Sequence, residues 1–282
     1  MIELAPGHKQ GFVVKLPVVV AGGIVGYGEA APRGLALEKA GAVVVGPLMA
    51  QSRNGANLPR IAETMGGLVL ETGLQNRGLS SALGKFARLW PRLGCPVVAQ
   101  VAEAEPRGLA RVIERLAGAP GLACIELLPL TTELETAQQM VRAAARIADL
   151  PVWVKLALST AVVWGPALVQ AGASGLVVGQ PPVGALSRGA APGQVRGTGA
   201  LVRGGLYGPL AFAPMLDRLA ALAELHLPCA LIACGGIHSV EQARQALAVG
   251  AQAVQLDTAL WVEPALLGWL VDELAADEQA SG

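Results

Sequence analysis

The chain has 282 residues, of which 53% are hydrophobic and 15% are charged, and its acidic and basic side chains balance to no net charge. A balanced charge argues against a nucleic-acid surface, which needs a basic excess. No apolar run reaches the roughly 20 residues of a membrane span, and the first residues lack the basic and apolar regions of an export signal. We therefore expect a cytoplasmic globular protein without a nucleic-acid or membrane partner.

Eight short apolar runs recur along the chain and have the character of strands buried on both faces. They are Val18–Gly23, Ala42–Gly46, Pro96–Ala102, Ala123–Pro129, Val152–Leu156, Gly175–Gly179, Ala230–Gly236 and Ala253–Ala259. Most are spaced by roughly 25 residues, the length of one βα unit, and two gaps are about twice as long. This pattern predicts a single-domain α/β protein over residues 1–282, a parallel eight-stranded (β/α)8 TIM barrel. A doubly wound sheet is the alternative, although it rarely needs eight equally apolar strands.

Helical patterns occupy the spaces between these runs. Amphipathic or capped segments cover Arg107–Ala117, Thr136–Ala148, Val240–Val249 and Pro264–Ala276, and the polar tail Asp277–Gly282 is expected to be loose. The four cysteines have no Cys-x-x-Cys spacing and the histidines and acids form no ligand cluster. We therefore expect neither a metal site nor disulfides.

One strand end has the features of an anion site. Gly235 and Gly236 close the seventh run, and Ser239 with Gln242 forms a capping box at the start of the next helix. Free N–H groups and the positive end of a helix dipole then point at one spot, and barrels often bind phosphate after their last two strands. A tight turn without a ligand explains Gly-Gly equally well.

Lys155 interrupts the buried run Val152–Leu156. A lysine in such a strand is costly unless an anion or an electron-rich ring meets it, or unless its side chain reaches solvent. It is therefore a candidate site residue, either beside a cofactor or as the amine of a Schiff base.

Several motifs, taken in order and spacing, resemble the class 1 dihydroorotate dehydrogenase family. They are Leu16-Pro17-Val18 with Ala21-Gly22-Gly23, Gly26-Tyr27-Gly28-Glu29, Arg53-Asn54-Gly55 with Pro59-Arg60, Gly73-Leu74-Gln75-Asn76-x-Gly78, Val154-Lys155-Leu156, Gly204-Gly205-Leu206-Tyr207-Gly208, Cys234-Gly235-Gly236-Ile237 and Val254-Gln255-x-x-Thr258-Ala259. The resemblance extends over nearly the whole chain and implies an FMN-containing barrel oxidoreductase of the pyrimidine-biosynthesis type.

The same resemblance implies a cofactor site. Backbone atoms of Ala21, Gly22 and Gly23 would approach the flavin ring, and Lys155 would interact with it. The phosphate would be cradled by N–H groups of a second set of residues: Gly204, Gly205, Gly235, Gly236 and Thr258. The family has a glycine where this chain has Asp257, whose carboxylate would repel a phosphate unless it points elsewhere or Arg203 or His238 offsets it.

The substrate side departs further from the family. Gly46 stands in place of a lysine that touches flavin and substrate, and Leu70 and Leu128 stand in place of asparagines. The family's catalytic cysteine or serine is replaced by Thr131, which is a poor base without an activating histidine. Gly73 and Leu74 complete the expected substrate pocket. Each lost charge-assisted hydrogen bond costs about 1.5–3 kcal/mol, so dihydroorotate is not the expected substrate.

These residues favour an FMN-dependent oxidoreductase that passes a hydride from another small substrate to the flavin. Two alternatives remain: a catalytically inactive barrel that acts as a binding or partner subunit, and a phosphate-ligand isomerase or aldolase that uses Lys155. The family resemblance also implies a homodimer and, in some members, an iron–sulfur flavoprotein partner subunit.

Overall fold

The computed structural model describes residues 1–187 and 201–281. In this part of the chain the strands are β1 Ile2–Glu3, β2 Val13–Val14, β3 Val18–Val20, β4 Ala42–Leu48, β5 Ile61–Thr64, β6 Gly67–Leu70, β7 Val97–Glu103, β8 Leu122–Pro129, β9 Val152–Ala157, β10 Gly175–Gln180, β11 Val183–Ser187, β12 Leu201–Tyr207, β13 Ala230–Cys234 and β14 Ala253–Leu256. The α-helices are α1 Leu79–Phe86, α2 Pro106–Leu116, α3 Leu134–Ile147, α4 Ala161–Gln170, α5 Phe212–Ala223, α6 Val240–Val249, α7 Ala259–Val262 and α8 Leu266–Ser281.

Eight parallel strands close into a barrel in the order β3-β4-β7-β8-β9-β10-β13-β14. Each corresponds to one of the eight apolar runs, so the predicted (β/α)8 barrel is confirmed. Three runs extend beyond the strands that they predict: Val18–Gly23, Ala230–Gly236 and Ala253–Ala259 continue past the ends of β3, β13 and β14. The extra residues are glycine-rich or polar, and the chain turns there into a loop or a helix. Apolar faces of the helices pack around the barrel in one large core.

The bottom of the barrel is closed by a hairpin of β1 and β2. Leu4, Phe12 and Val14 from this hairpin join the apolar cluster of the barrel interior. Trp153 of β9 lies at its centre: its indole Nε1 donates to the carbonyl oxygen of Leu4 at 2.8 Å, and its ring centroid lies 5.3 Å from that of Phe12. The lower interior is therefore packed and apolar, which leaves the upper end of the barrel for a site.

The two long gaps between apolar runs carry an additional antiparallel sheet with the strand order β11-β12-β6-β5. The first gap supplies β5 and β6, and the second supplies β11 and β12. Residues 188–200, in the loop expected before Arg203, lie outside the described residues. This small sheet brings Gly204 and Gly205 next to Leu70.

The C-terminal tail differs from expectation, because α8 continues to Ser281 instead of ending before Asp277. Arg244 of α6 binds the carboxylates of Glu273 and Asp277, with its Nε 2.8 Å from Asp277 Oδ2. These ion pairs connect the last turns of α8 to α6. Within residues 1–187 and 201–281, no helix is both long and apolar enough to cross a membrane.

Candidate functional site

The upper layer of the barrel interior is built from alternate residues of the strands, because successive side chains point to opposite faces. In the layer below, Val98, Cys124 and Trp153 face the interior. Two residues further along the same strands come Gln100, Glu126 and Lys155, which are exposed by 7%, 0% and 8% respectively. Gln255 of β14 is fully buried. Four polar side chains therefore occupy one layer of an otherwise apolar barrel.

These side chains form a closed hydrogen-bond network around the carboxylate of Glu126. Gln100 Nε2 donates to Glu126 Oε1 at 2.7 Å, and Gln255 Nε2 donates to Glu126 Oε2 at 2.7 Å. Lys155 Nζ lies 3.7 Å from Glu126 Oε1 and donates to Gln255 Oε1. Each carboxylate oxygen thus has a donor, which makes a buried charge tolerable.

The charge of Lys155 is fixed by this network. Burial by itself would lower the pKa of Lys155, but interactions with Cys234, Glu126 and Asp257 outweigh burial and raise the pKa above its ordinary value. A Schiff base needs a neutral amine, so the geometry does not favour the isomerase or aldolase alternative. It favours a fixed positive charge at the floor of the site.

Above this layer the strand ends and the small sheet enclose a cavity of about 870 Å³. This volume is in the range of sites for small ligands and cofactors. Most of the residues predicted from the sequence line it: Ala21, Gly22, Gly23, Gly46, Leu70, Gly73, Leu74, Leu128, Lys155, Gly204, Gly205, Asp257 and Thr258. One cavity therefore brings together the predicted flavin-ring residues and the predicted substrate pocket.

The side of the cavity expected to bind substrate is apolar. Leu128 packs with Met49 and Ala102, and Leu74 joins this cluster. Charged and amide side chains line other parts of the same cavity: Arg53, Asn54, Arg60, Gln75, Asn76 and Arg77. The positions predicted to contact the substrate are thus apolar, although the cavity as a whole offers polar donors.

Three predicted residues do not line this cavity: Thr131, Gly236 and Gly235, the last of which borders a separate small space. Thr131 follows β8 and is not among the lining residues of the cavity; its Oγ1 accepts a hydrogen bond from the backbone N–H of Glu133 at 3.1 Å. Gly236 does not line the cavity either. It has φ of +72°, and a Cβ there would lie 2.2 Å from the backbone nitrogen of Phe212. Close packing against α5 is therefore sufficient to require glycine at this position.

The predicted anion site has its capping box but little free space. Ser239 Oγ accepts from the Gln242 N–H at 3.2 Å, and Gln242 Oε1 accepts from the His238 N–H at 2.7 Å. Two backbone donors near this helix start are thus already paired. The space beside Gly235 is only about 10 Å³ and is bordered by Tyr207 and Asp257.

The electrostatics of this end also differ from those of a phosphate site. Burial raises the pKa of Asp257, although Lys155, Thr258 and His238 lower it in part. Burial raises the pKa of Tyr207 and of Cys234 to about 12, and it lowers the pKa of His238. Arg203, named from the sequence as a possible counter-charge, is exposed in β12.

Gly204 and Gly205 lie in β12, the strand between β11 and β6. Gly205 is in register with Val183 on one side and Leu70 on the other. A Cβ at Gly204 would lie 2.3 Å from the carbonyl oxygen of Leu70. Both glycines line the cavity, but their backbone groups lie in a strand that pairs with β11 and β6. The predicted contact of these two glycines with a phosphate therefore stays a prediction.

Sequence reasoning missed Gln100, Glu126 and Gln255. Each interrupts an apolar strand run, which is the same signal that identified Lys155. Across residues 1–187 and 201–281, no group of His, Cys, Asp and Glu could hold a metal ion.

Comparisons with known proteins agree with this architecture. A family model described as dihydroorotate dehydrogenase matches residues 10–277. The catalytic subunit of dihydroorotate dehydrogenase B (NAD(+)) from Anoxybacillus flavithermus is 29% identical over 281 residues, covering 94% of this chain and 88% of that protein. The protein of the same description from Geobacillus kaustophilus is 28% identical with the same coverage. A crystal structure of DHODH in complex with ferulenol from Eimeria tenella has a TM-score of 0.74 at 18% identity, covering 94% of this chain and 82% of that chain, which indicates a shared fold.

Proposed function

The chain belongs to the dihydroorotate dehydrogenase family of FMN-dependent oxidoreductases, and from this premise we propose that its cavity holds a flavin ring and oxidises a small substrate other than dihydroorotate. The observation that carries the proposal is the cavity of about 870 Å³ at the carboxyl ends of the barrel strands. It is lined by Ala21, Gly22 and Gly23, with the charged Lys155 at its floor.

FMN, when bound, supplies the hydride acceptor. The residues of the chain position and protect the reacting groups. The small residues at positions 21–23 allow backbone approach to a flat ring, and the Lys155 ammonium, held by Glu126 and Gln255, offers a fixed positive charge beside it. Leu70, Leu74 and Leu128 exclude water from the substrate side.

The substrate class follows from what lines the pocket. The cavity has Leu70 and Leu128 where the family resemblance implies amide donors for orotate, so we propose a less polar substrate. The proton that accompanies hydride loss needs an acceptor. Thr131 remains a prediction for this role; because it lies outside the cavity lining, a water molecule in the cavity is the alternative that the geometry favours.

The visible spectrum of the purified protein, before and after addition of FMN, tests the flavin site. We expect flavin absorption bands or saturable binding, and we expect Lys155→Met to weaken binding because it removes the charge at the cavity floor. Lys85→Met, which removes an exposed lysine of α1, serves as the control. The absence of both bands and binding would refute the proposal.

The second candidate function is a catalytically inactive barrel that acts as a binding or partner subunit. It is favoured by the loss of the polar substrate donors and by the engagement of Lys155 with Glu126 and Gln255. Reduction of the flavin-loaded protein with dithionite, followed by fumarate, a quinone or NAD⁺, separates the two functions. Reoxidation above the rate of free flavin supports the enzyme, and its absence with every acceptor supports the inactive barrel.

Partners and location are part of the same proposal. The relatives described as catalytic subunits support a partner subunit, and the resemblance noted above implies a homodimer. Trp261, at the cavity wall, is 46% exposed and neighbours the exposed Val262, which offers an apolar surface near the mouth. Light scattering on the purified chain, alone and with a co-expressed flavoprotein subunit, tests both associations. We also propose the cytoplasmic location expected from the sequence.

A further inference from the structure

We propose that this chain binds its flavin through the ring and the hydroxyl-bearing ribityl tail and does not select for the terminal phosphate. Riboflavin should therefore bind at least as tightly as FMN. The inference rests on the proposed function. It concerns the end of the site where Gly235 and α6 would otherwise receive the phosphate.

The first argument is space. The space beside Gly235 is about 10 Å³, which is roughly the volume that one water molecule requires. Tyr207 and Asp257 form its walls together with Cys234 and Gly179. A phosphate group, with its four oxygens, needs several times this space. The same four residues also line the large cavity, which Gly235 does not, so a phosphate held in the large cavity lies against Tyr207 and Asp257 and not beside Gly235.

The second argument is charge. A phosphate monoester at neutral pH carries between one and two negative charges, and here it would meet the carboxyl group of Asp257. The nearest cation, Lys155, is engaged by Glu126 and Gln255. His238 does not supply a compensating charge, because burial favours its neutral form. Like charges placed together at an interface are strongly unfavourable.

The third argument is the pairing of backbone donors. The N–H groups of His238 and Gln242 are satisfied by the capping box, and Gly205 belongs to a sheet. A phosphate cradle depends on free N–H groups that converge on one point. These three residues therefore add little to such a cradle.

The same groups suit an uncharged alcohol. The Tyr207 hydroxyl and the Asp257 carboxyl line both the small space and the large cavity. Both groups can pair with ligand hydroxyls through hydrogen bonds. A ribityl tail carries such hydroxyls without a formal charge.

The test is a fluorescence titration of the full-length protein with riboflavin and with FMN. We expect riboflavin to bind with a dissociation constant equal to or below that of FMN. Asp257→Gly is expected to tighten FMN binding by about tenfold or more and to weaken riboflavin binding, because the carboxyl that pairs with a tail hydroxyl is lost. Asp257→Asn keeps the volume and removes the charge, so it separates the electrostatic effect from the steric one.

Tyr207→Ser and Tyr207→Phe are a matched pair of variants that tests whether the Tyr207 ring limits the space for a phosphate. The serine variant opens the small cavity and is expected to favour FMN, whereas the phenylalanine variant keeps the ring and leaves the FMN preference as in the parent protein. Circular dichroism confirms that each variant is folded. Tighter binding of FMN than of riboflavin to the wild-type protein, or no gain for FMN in Asp257→Gly, would overturn the inference. Binding of neither flavin to the folded wild-type protein would instead refute the proposed function on which it rests.

Discussion

The buried carboxylate of Glu126 makes a quantitative prediction about the stability of the barrel. Glu126 is fully buried, accepts amide hydrogen bonds of 2.7 Å on both oxygens, and lies 3.7 Å from Lys155 Nζ. Replacement of Glu126 by glutamine preserves the shape of the side chain. However, its new N–H₂ group faces the donating amide of either Gln100 or Gln255, so one of the two hydrogen bonds is lost. The replacement also leaves the Lys155 ammonium without its counter-charge inside the barrel.

We expect Glu126→Gln to lower the free energy of unfolding by about 3–5 kcal/mol, the cost of breaking a buried ion pair by removal of one partner. Hydrogen bonds to a charged group contribute about 1.5–3 kcal/mol each, so the loss of one amide bond and of the Lys155 interaction gives about 3–6 kcal/mol, which overlaps this range. Urea denaturation followed by circular dichroism measures the change. Glu114→Gln, at an exposed position of α2, is the control and should change stability by less than about 0.5 kcal/mol.

The double variant Glu126→Gln/Lys155→Met tests the cause. Once the ammonium is replaced by an apolar side chain of similar length, the uncompensated charge disappears, so the double variant should be more stable than the sum of the single effects predicts. The coupling expected for contacting residues is about 0.5–3 kcal/mol. A loss below about 1 kcal/mol for Glu126→Gln, or additivity of the two substitutions, would show that no buried ion pair stabilises the barrel.

Two further predictions concern single positions. Gly236→Ala should destabilise the fold by about 1–3 kcal/mol, because its Cβ would lie 2.2 Å from the Phe212 nitrogen at a positive φ, whereas Gly84→Ala, with no atom near its Cβ, should be neutral or stabilising; thermal denaturation compares them. Borohydride treatment with small carbonyl compounds should leave Lys155 unmodified by mass spectrometry, because Glu126 and its other neighbours raise the pKa of the amine. An adduct at Lys155 would contradict the fixed-charge role.

The barrel was predictable because strands buried on both faces appear as continuous apolar runs. The small antiparallel sheet was not, because β5 and β11 carry exposed residues such as Ile61 and Val183. In addition, β6 pairs with β12 across more than 100 residues of sequence. The extra length of two gaps was the signal that additional structure existed there. The end of α8 was missed for a similar reason, since its ion pairs involve Arg244 on another helix.

The candidate site was predictable where glycines and one lysine marked the strand ends. The partner of that lysine was not predictable, because Glu126 lies 29 positions before Lys155. Gln255, an amide donor to Glu126, lies 129 positions after Glu126. Only the closed barrel brings these residues into one layer. Sequence position also could not indicate that Tyr207 and Asp257 border the same small cavity.

Asp257 provides a pH-dependent prediction that is independent of any ligand. Burial raises the pKa of this carboxyl group, while Lys155, Thr258 and His238 offset part of the effect. The folded chain therefore binds more protons than the unfolded chain between the unfolded pKa of about 3.9 and the raised folded value. Stability falls as the pH rises through this window and the loss is complete above it.

Asp257→Asn removes the titration, so the variant should be more stable than the wild type at neutral pH. The difference should shrink as the pH is lowered through the raised folded pKa and below about 4, where the wild-type group becomes protonated in both states. Urea midpoints at several pH values measure this, with Glu114→Gln as the control for general charge effects. A difference that stays constant or grows toward low pH would mean that the carboxylate is well solvated or well paired, and the electrostatic argument against a phosphate at this end of the cavity would lose its basis.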